Sequence, residues 1–139
     1  MLTGGLLCSD ATLGDDAGRW FVKGDPTEGA LVVLAAKAGL RQRETRTSAP
    51  GSPEFPFSSE RKRMTTVHRM PDGRHLAFVK GAPEVLLERC AVGARPTTGP
   101  SRSPIATRAE VLAANEAMAK DALRVLALAY KEVSADGRL

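Results

Sequence analysis

The segment Lys80-Gly81-Ala82-Pro83-Glu84 closes a hydrophobic run with a lysine, two small residues and a proline suited to a first helical position. That order sets an ammonium beside the free N–H groups of a helix start, an arrangement that attracts anions. The plainer alternative is that Lys80 carries its ammonium from a strand end into water. A second segment, Phe55-Pro56-Phe57-Ser58-Ser59-Glu60-Arg61-Lys62-Arg63-Met64, sets aromatic beside cationic side chains. In an extended chain Phe55 and Phe57 share a face, as do Lys62, Met64 and Thr66. One aromatic is expected in the core and the other on the surface as a stacking platform. An aromatic face beside a lysine suits a nucleobase and its phosphates, base stacking being worth about 1–3 kcal/mol. Each pattern alone is also what a core phenylalanine and a solvated strand face would give.

Other chemistries are excluded by what the sequence does not contain. There is no Gly-x-Ser-x-Gly, no Gly-x-x-x-x-Gly-Lys-Ser/Thr, no Gly-x-Gly-x-x-Gly and no metal-spaced histidine pair. Binding rather than bond-making is the expected activity. Cys8 and Cys90 lie far apart outside any Cys-x-x-Cys pattern, and His68 and His75 are the only imidazoles, so a zinc site is not expected and both thiols are expected free. The 20 basic against 16 acidic residues leave a net charge of +4, too mild to demand a nucleic acid. The Arg41/Arg43/Arg46 cluster lacks interleaved aromatics and reads as a solvated loop. At 139 residues and 42% apolar content the chain is one globular domain, residues 1–139. Its longest uncharged apolar run, Gly29 to Ala36, is far short of a membrane span, so a soluble piece is expected.

The elements that must hold these residues follow from patterning. The Leu6/Leu7/Cys8 patch ends a short helix, and Gly14-Asp15-Asp16-Ala17-Gly18 is a polar turn. Asp25-Pro26-Thr27-Glu28 reads as N-cap, first-turn proline and capping-box glutamate, opening a helix from Pro26 to about Ala38 with Gly39 as its stop. Leu40 to Pro53 reads as an exposed connection without chemistry of its own. Glu54 to Phe57 is extended. Lys62–Met70 and His75–Lys80 form a hairpin around Pro71-Asp72-Gly73-Arg74. Pro83 starts a helix to about Arg89, Ala91 to Pro104 is a loop, Ile105 to Ala119 is helical, and Arg124 to Val133 is a buried strand. Strands and helices that do not alternate strictly give an α+β fold with a largely antiparallel sheet flanked by helices.

Taken in order, Gly24-Asp25-Pro26-Thr27-Glu28-Gly29-Ala30-Leu31, Phe57-Ser58-Ser59-Glu60-Arg61-Lys62-Arg63-Met64, Val79-Lys80-Gly81-Ala82-Pro83-Glu84 and Leu123-Arg124-Val125-Leu126-Ala127-Leu128-Ala129 closely resemble the nucleotide-binding domain of P-type cation-transporting ATPases. The leader Leu7-Cys8-Ser9-Asp10-Ala11-Thr12-Leu13 resembles the stretch ahead of that family's Gly-Asp-x-Thr-Glu motif. The likeness covers nearly the whole chain and is best to the calcium-pump-like branch. Arginine outnumbers lysine 14 to 6, which points to a GC-rich bacterial source.

The resemblance implies that Phe57 stacks on adenine, that Glu28 lies near the adenine amino group, that Lys62 and Lys80 line the pocket, that Arg124 reaches toward the phosphates, and that Thr27 and Gly81 shape its walls. For Glu28 the capping-box role stands beside the pocket role, and both hold if the cap lies at the pocket rim. Arg124 in an apolar run is expected to be a buried guanidinium relieved by an anionic ligand. Lys80 is expected to react readily with amine-directed reagents and to be protected by ATP. The implied ligands are ATP and ADP, with Mg as Mg-ATP in the intact pump. The implied partners are that pump's phosphorylation and actuator domains, with no nucleic acid. The implied location is the cytoplasmic side of a plasma or inner membrane. Ser59 stands where calcium pumps carry an arginine. Asp-Lys-Thr-Gly-Thr, Thr-Gly-Asp, Gly-Asp-Gly-x-Asn-Asp and all membrane helices are absent, so the chain is expected to be a monomeric fragment that binds without turnover. The alternatives are a standalone regulatory nucleotide sensor, and a basic interaction module using Arg41, Arg43, Arg46, Arg61 and Arg63.

Overall fold

The computed structural model describes residues 1–90 and 107–134. Its elements are α1 (Leu2–Leu7), β1 (Thr12–Asp16), β2 (Arg19–Lys23), α2 (Pro26–Lys37), α3 (Gln42–Ser48), β3 (Gly51–Ser58), β4 (Arg63–Arg69), β5 (His75–Gly81), α4 (Pro83–Leu87), α5 (Arg108–Lys120) and β6 (Ala127–Val133). The strands form an antiparallel β1-β2 hairpin and an antiparallel sheet in the order β3-β4-β5-β6. This is the α+β architecture with antiparallel sheets that the patterning requires.

The centre of the sheet is where the hydrophobic runs are strongest. β4 and β5 are buried along most of their length, and they join through the expected Pro-Asp-Gly turn. Helix α1 lies on this centre, with α2 and α3 packed against α1. Its approach is close because Gly4 carries no side chain: a Cβ there would lie 2.6 Å from the Phe78 ring. Leu6, Leu7, Cys8, Ala35, Ala49, Met64, Leu76 and Phe78 make the core beneath it. The Cys8 thiol faces the carbonyl oxygens of Phe78 and Met64, and burial pushes its pKa up. Both cysteines are free.

Several expected boundaries shift. The polar turn is only Ala17 and Gly18, at φ of 50° and 85°, and the aspartates ahead of it belong to β1. Two residues with positive φ make the tight reversal whose twist suits a hairpin. The Leu40–Pro53 connection instead contains α3 and the start of β3. Helix α3 has no buried residue, so it shows no apolar stripe, and polar side chains hold it. The buried strand expected from Arg124 begins at Ala127 and is half-buried to exposed, because among the described residues only β5 pairs with it. Neither Phe55 nor Phe57 is core: they are 45% and 60% exposed, on a strand whose pairing with β4 shifts register on either side of Phe55. The Ala91–Pro104 loop and the start of the following helix at Ile105 lie outside the described residues. From Arg108 that helix is present, capped by Thr107 and Glu110.

Candidate functional site

Helix α2 starts as its sequence demands, with the Asp25 carboxylate accepting from the backbone N–H of Thr27 at 2.8 Å and of Glu28 at 3.2 Å. These bonds hold the Asp25 carboxyl below its ordinary range. Glu28 does not complete the capping box. Its carboxylate turns away to pair with the Lys80 ammonium and to accept from the backbone N–H groups of Asp10 at 2.7 Å and Ala11 at 2.9 Å. Burial is the largest influence on Glu28 and pushes its carboxyl up. The hydrogen bond and charge of Lys80, with the two amides, together outweigh it and hold the group low. Lys80 is only 5% exposed, and its Nζ also reaches Ser9 Oγ at 3.4 Å. The Ser9 hydroxyl in turn donates to the Gly5 carbonyl at 2.7 Å. Lys80 therefore points inward, toward Glu28 and Ser9, rather than into water at a strand end.

Pairing across the sheet collects the remaining residues. Ser58 lies opposite Arg63, Arg63 opposite Gly81, and Gly81 opposite Ala127, so one row crosses all its strands at a single end. Phe57 directly precedes this row on β3, Lys62 precedes it in the β3–β4 turn, Lys80 precedes Gly81 on β5, and Arg124 leads into β6. Lys62 is at φ 50°, outside the strand, so it does not share the face of Met64 and Thr66. Gly81 makes the row possible: a Cβ there would meet the Lys62 carbonyl oxygen at 2.4 Å. That carbonyl accepts from the Ala82 N–H at 3.1 Å, which fixes the turn over the start of α4. Arg124 is exposed, not buried, and donates to Thr27 Oγ1 at 3.2 Å, joining the approach to β6 to the start of α2.

Thr27, Glu28, Phe57, Lys62, Lys80, Gly81 and Arg124 thus all belong to one sheet end and the helix start tied to it. Phe57 and Lys62 are open to solvent, as is Arg124. A cleft of about 420 Å³ adjoins Arg124, lined also by Pro83, Glu84, Asn115, Ala119 and Leu123. A larger groove of about 830 Å³ lies elsewhere, between the hairpin and α2–α3 around Trp20, Val33 and Leu40, and includes none of these residues. Among the described residues no group of three His, Cys, Asp or Glu side chains could hold a metal ion.

Sequence reasoning missed the leader's part in the site. Ser9, the Asp10 and Ala11 amides, and Gln42 and Arg46 of α3 all belong to the network around Glu28 and Lys80. The one available signal was the i, i+4 spacing of Gln42 and Arg46, which puts both on one helix face.

Residues 1–138 match the family described as P-type ATPase, cytoplasmic domain N. The chain belongs to this family. Among the relatives of this N domain, the "Probable cation-transporting ATPase F" of Mycobacterium tuberculosis (strain ATCC 25618 / H37Rv) is 43% identical over 127 residues, covering 91% of this chain and 14% of the relative. The "Calcium-transporting ATPase 1" of Lactococcus lactis is 38% identical over 134 residues, 96% of this chain and 15% of the relative. The "Calcium-transporting ATPase" of Bacillus subtilis is 34% identical over 139 residues, 97% of this chain and 15% of the relative. The N domain therefore spans about one-seventh of the length of these relatives. No helix among its described residues is long and apolar enough to cross a membrane.

Proposed function

We propose that this N domain binds ATP at the sheet end formed by β3 to β6, and that within a longer cation-transporting ATPase it presents the γ-phosphate to an aspartate on another domain. The observation that carries this reading is the convergence of an exposed phenylalanine, Phe57, with the cations Lys62 and Arg124 at the end where Glu28 and Lys80 are paired. Phe57 offers a stacking face for adenine, Glu28 an acceptor toward its amino group, and Lys62 and Arg124 charge for the phosphates. Thr27 and Gly81 shape the walls, and Lys80 fixes Glu28 from beneath. Mg2+ enters only as the counter-ion of the nucleotide phosphates. The hinge motion that would bring the phosphate to its acceptor belongs to the longer protein.

The basic-module alternative is disfavoured by how its arginines are engaged. Arg46 is taken up by the Ser9 carbonyl, and Arg61 sits over the Phe55 ring while donating to the Pro56 carbonyl.

Calorimetric titration tests the proposal. ATP, ADP and a non-hydrolysable analogue are expected to bind with comparable dissociation constants of about 0.1–1 mM, equivalent to about 4 to 5.5 kcal/mol. No turnover above background is expected from the isolated chain. Absence of saturable binding up to several millimolar would refute the proposal. So would steep loss of binding with salt, the signature of a counterion-releasing basic surface.

A further inference from the structure

Residues Ser9, Asp10 and Ala11 form a strap between two sets of side chains. On one side their amides and the Ser9 hydroxyl meet Glu28 and Lys80. On the other, their carbonyls meet α3: Arg46 Nη2 donates to the Ser9 carbonyl at 2.5 Å and to the Ala11 carbonyl at 3.5 Å, while Gln42 Nε2 donates to the Ala11 carbonyl at 2.8 Å. Gln42 Oε1 also accepts from the Leu13 N–H at 3.3 Å. The far end of α3 is pinned to the sheet, where His68 Nδ1–H donates to the Ala49 carbonyl at 2.9 Å.

The Ser9 carbonyl and the Asp10 N–H are the two ends of one planar peptide group. A guanidinium on the oxygen polarises that group and strengthens the N–H as a donor to Glu28, and the rigid plane fixes where that donor points. Helix α3 lies against α1 and α2 without burying a residue of its own, so its polar side chains rather than an apolar face tie it to the strap. We propose that Arg46 is a positioning residue of the N domain: acting through the Ser9–Asp10 peptide plane, it sets the Glu28 carboxylate and its pair with Lys80, and thereby the affinity for adenine nucleotide. Only the last link rests on the ATP-binding reading. The charged and titratable groups facing Glu28 are Lys80 from β5 and Cys8 from the end of α1.

The test uses the full 139-residue chain and reads the Asp10 amide proton, the Glu28 carboxyl titration and the ATP dissociation constant by NMR. In Arg46→Ala the Asp10 amide is expected to move upfield, the Glu28 midpoint to rise toward the ordinary carboxylate value, and the ATP dissociation constant to rise about three- to tenfold, the effect of one lost hydrogen bond. Arg46→Lys, which keeps a cationic donor, is expected to restore most of all three. Thr107→Ala, which removes the cap of α5, is expected to lower stability while leaving the Asp10 amide and the Glu28 midpoint in place.

A folded Arg46→Ala protein with an unchanged Asp10 amide and Glu28 midpoint would overturn the proposal. Should Arg46→Ala fail to fold, Arg46→Met, which keeps the aliphatic stem and removes the guanidinium, carries the same test, and an unchanged Asp10 amide and Glu28 midpoint there would overturn it equally. A moved midpoint with unaltered ATP affinity would overturn the link to binding. If the unmodified chain binds no ATP while Asp10 and Glu28 respond as expected, the ATP-binding reading fails and the positioning role stands.

Discussion

At Glu28 two arrangements compete for one carboxylate, and their magnitudes decide between them. Completing a capping box contributes on the order of 1 kcal/mol. Leaving the buried Lys80 ammonium without a counter-charge would cost about 3–5 kcal/mol. The carboxylate therefore goes to Lys80, and Asp25 caps α2 alone. Removing one member of the pair, as in Glu28→Ala, is expected to lower unfolding free energy by about 3 kcal/mol or more, whereas Glu28→Gln with Lys80→Met should recover part of the loss; urea denaturation of the single and double variants measures this. The same burial reverses the expected reactivity of Lys80. With its Nζ enclosed by Glu28 and Ser9, Lys80 should label more slowly with amine reagents than exposed Lys37 or Lys131, as peptide mass spectrometry of a brief labelling would reveal. Phe57→Ala is expected to weaken ATP binding by about 1–3 kcal/mol without unfolding the chain. Phe55, already covered by Arg61, is the control. If Phe55→Ala abolishes binding in a folded protein and Phe57→Ala does not, the stacking face is misassigned.

Among the elements, those legible in the sequence are those whose signals are local. Asp25-Pro26 opens α2, Gly39 at φ 83° ends it, and Pro71-Asp72-Gly73 turns β4 into β5. Helix α3 was not legible because what holds it lies far away in sequence: Arg46 bonds a carbonyl at Ser9, and Gln42 one at Ala11. The β1–β2 hairpin was hidden for another reason. All of β2 is exposed, Trp20 to 65%, so its apolar residues gave no alternation. Of the site, the residue types were readable from motifs. The inward turn of Lys80 and the exposure of Arg124 were not, because both depend on which neighbour the tertiary fold supplies. The β4–β5 pairing makes one demand that a single substitution can test. Gly81→Ala would drive a methyl group into the Lys62 carbonyl and is expected to cost about 1–3 kcal/mol, read as a lower urea midpoint, and to weaken nucleotide binding through the displaced β3–β4 turn. An unchanged midpoint would mean that the turn is free to move away.

At the scale of the whole molecule, stability should fall on acidification in two stages. Burial holds His68 below its ordinary pKa, with Arg46 adding to the effect and the Ala49 hydrogen bond opposing it. The unfolded chain therefore takes up a proton that the fold refuses, and stability declines as the pH drops below about 6.5. Glu28 is held low in the fold, so its contribution is complete above about pH 4.3 and is lost as the pH falls through its folded value. Urea midpoints measured from pH 7 downward, below the range where the raised Cys8 thiol matters, should decrease monotonically, and His68→Phe should remove the upper stage. A midpoint that rises on acidification would contradict this. The central claim, that ATP binds where the sheet end meets the start of α2, is tested most directly by an amide chemical-shift titration of the 139-residue chain with ATP. Saturable shifts are predicted at Thr27, Glu28, Phe57, Lys62, Gly81 and Arg124, with a common dissociation constant of about 0.1–1 mM. Shifts absent from these residues, or concentrated instead around Trp20 and Leu40 in the larger groove, would contradict it.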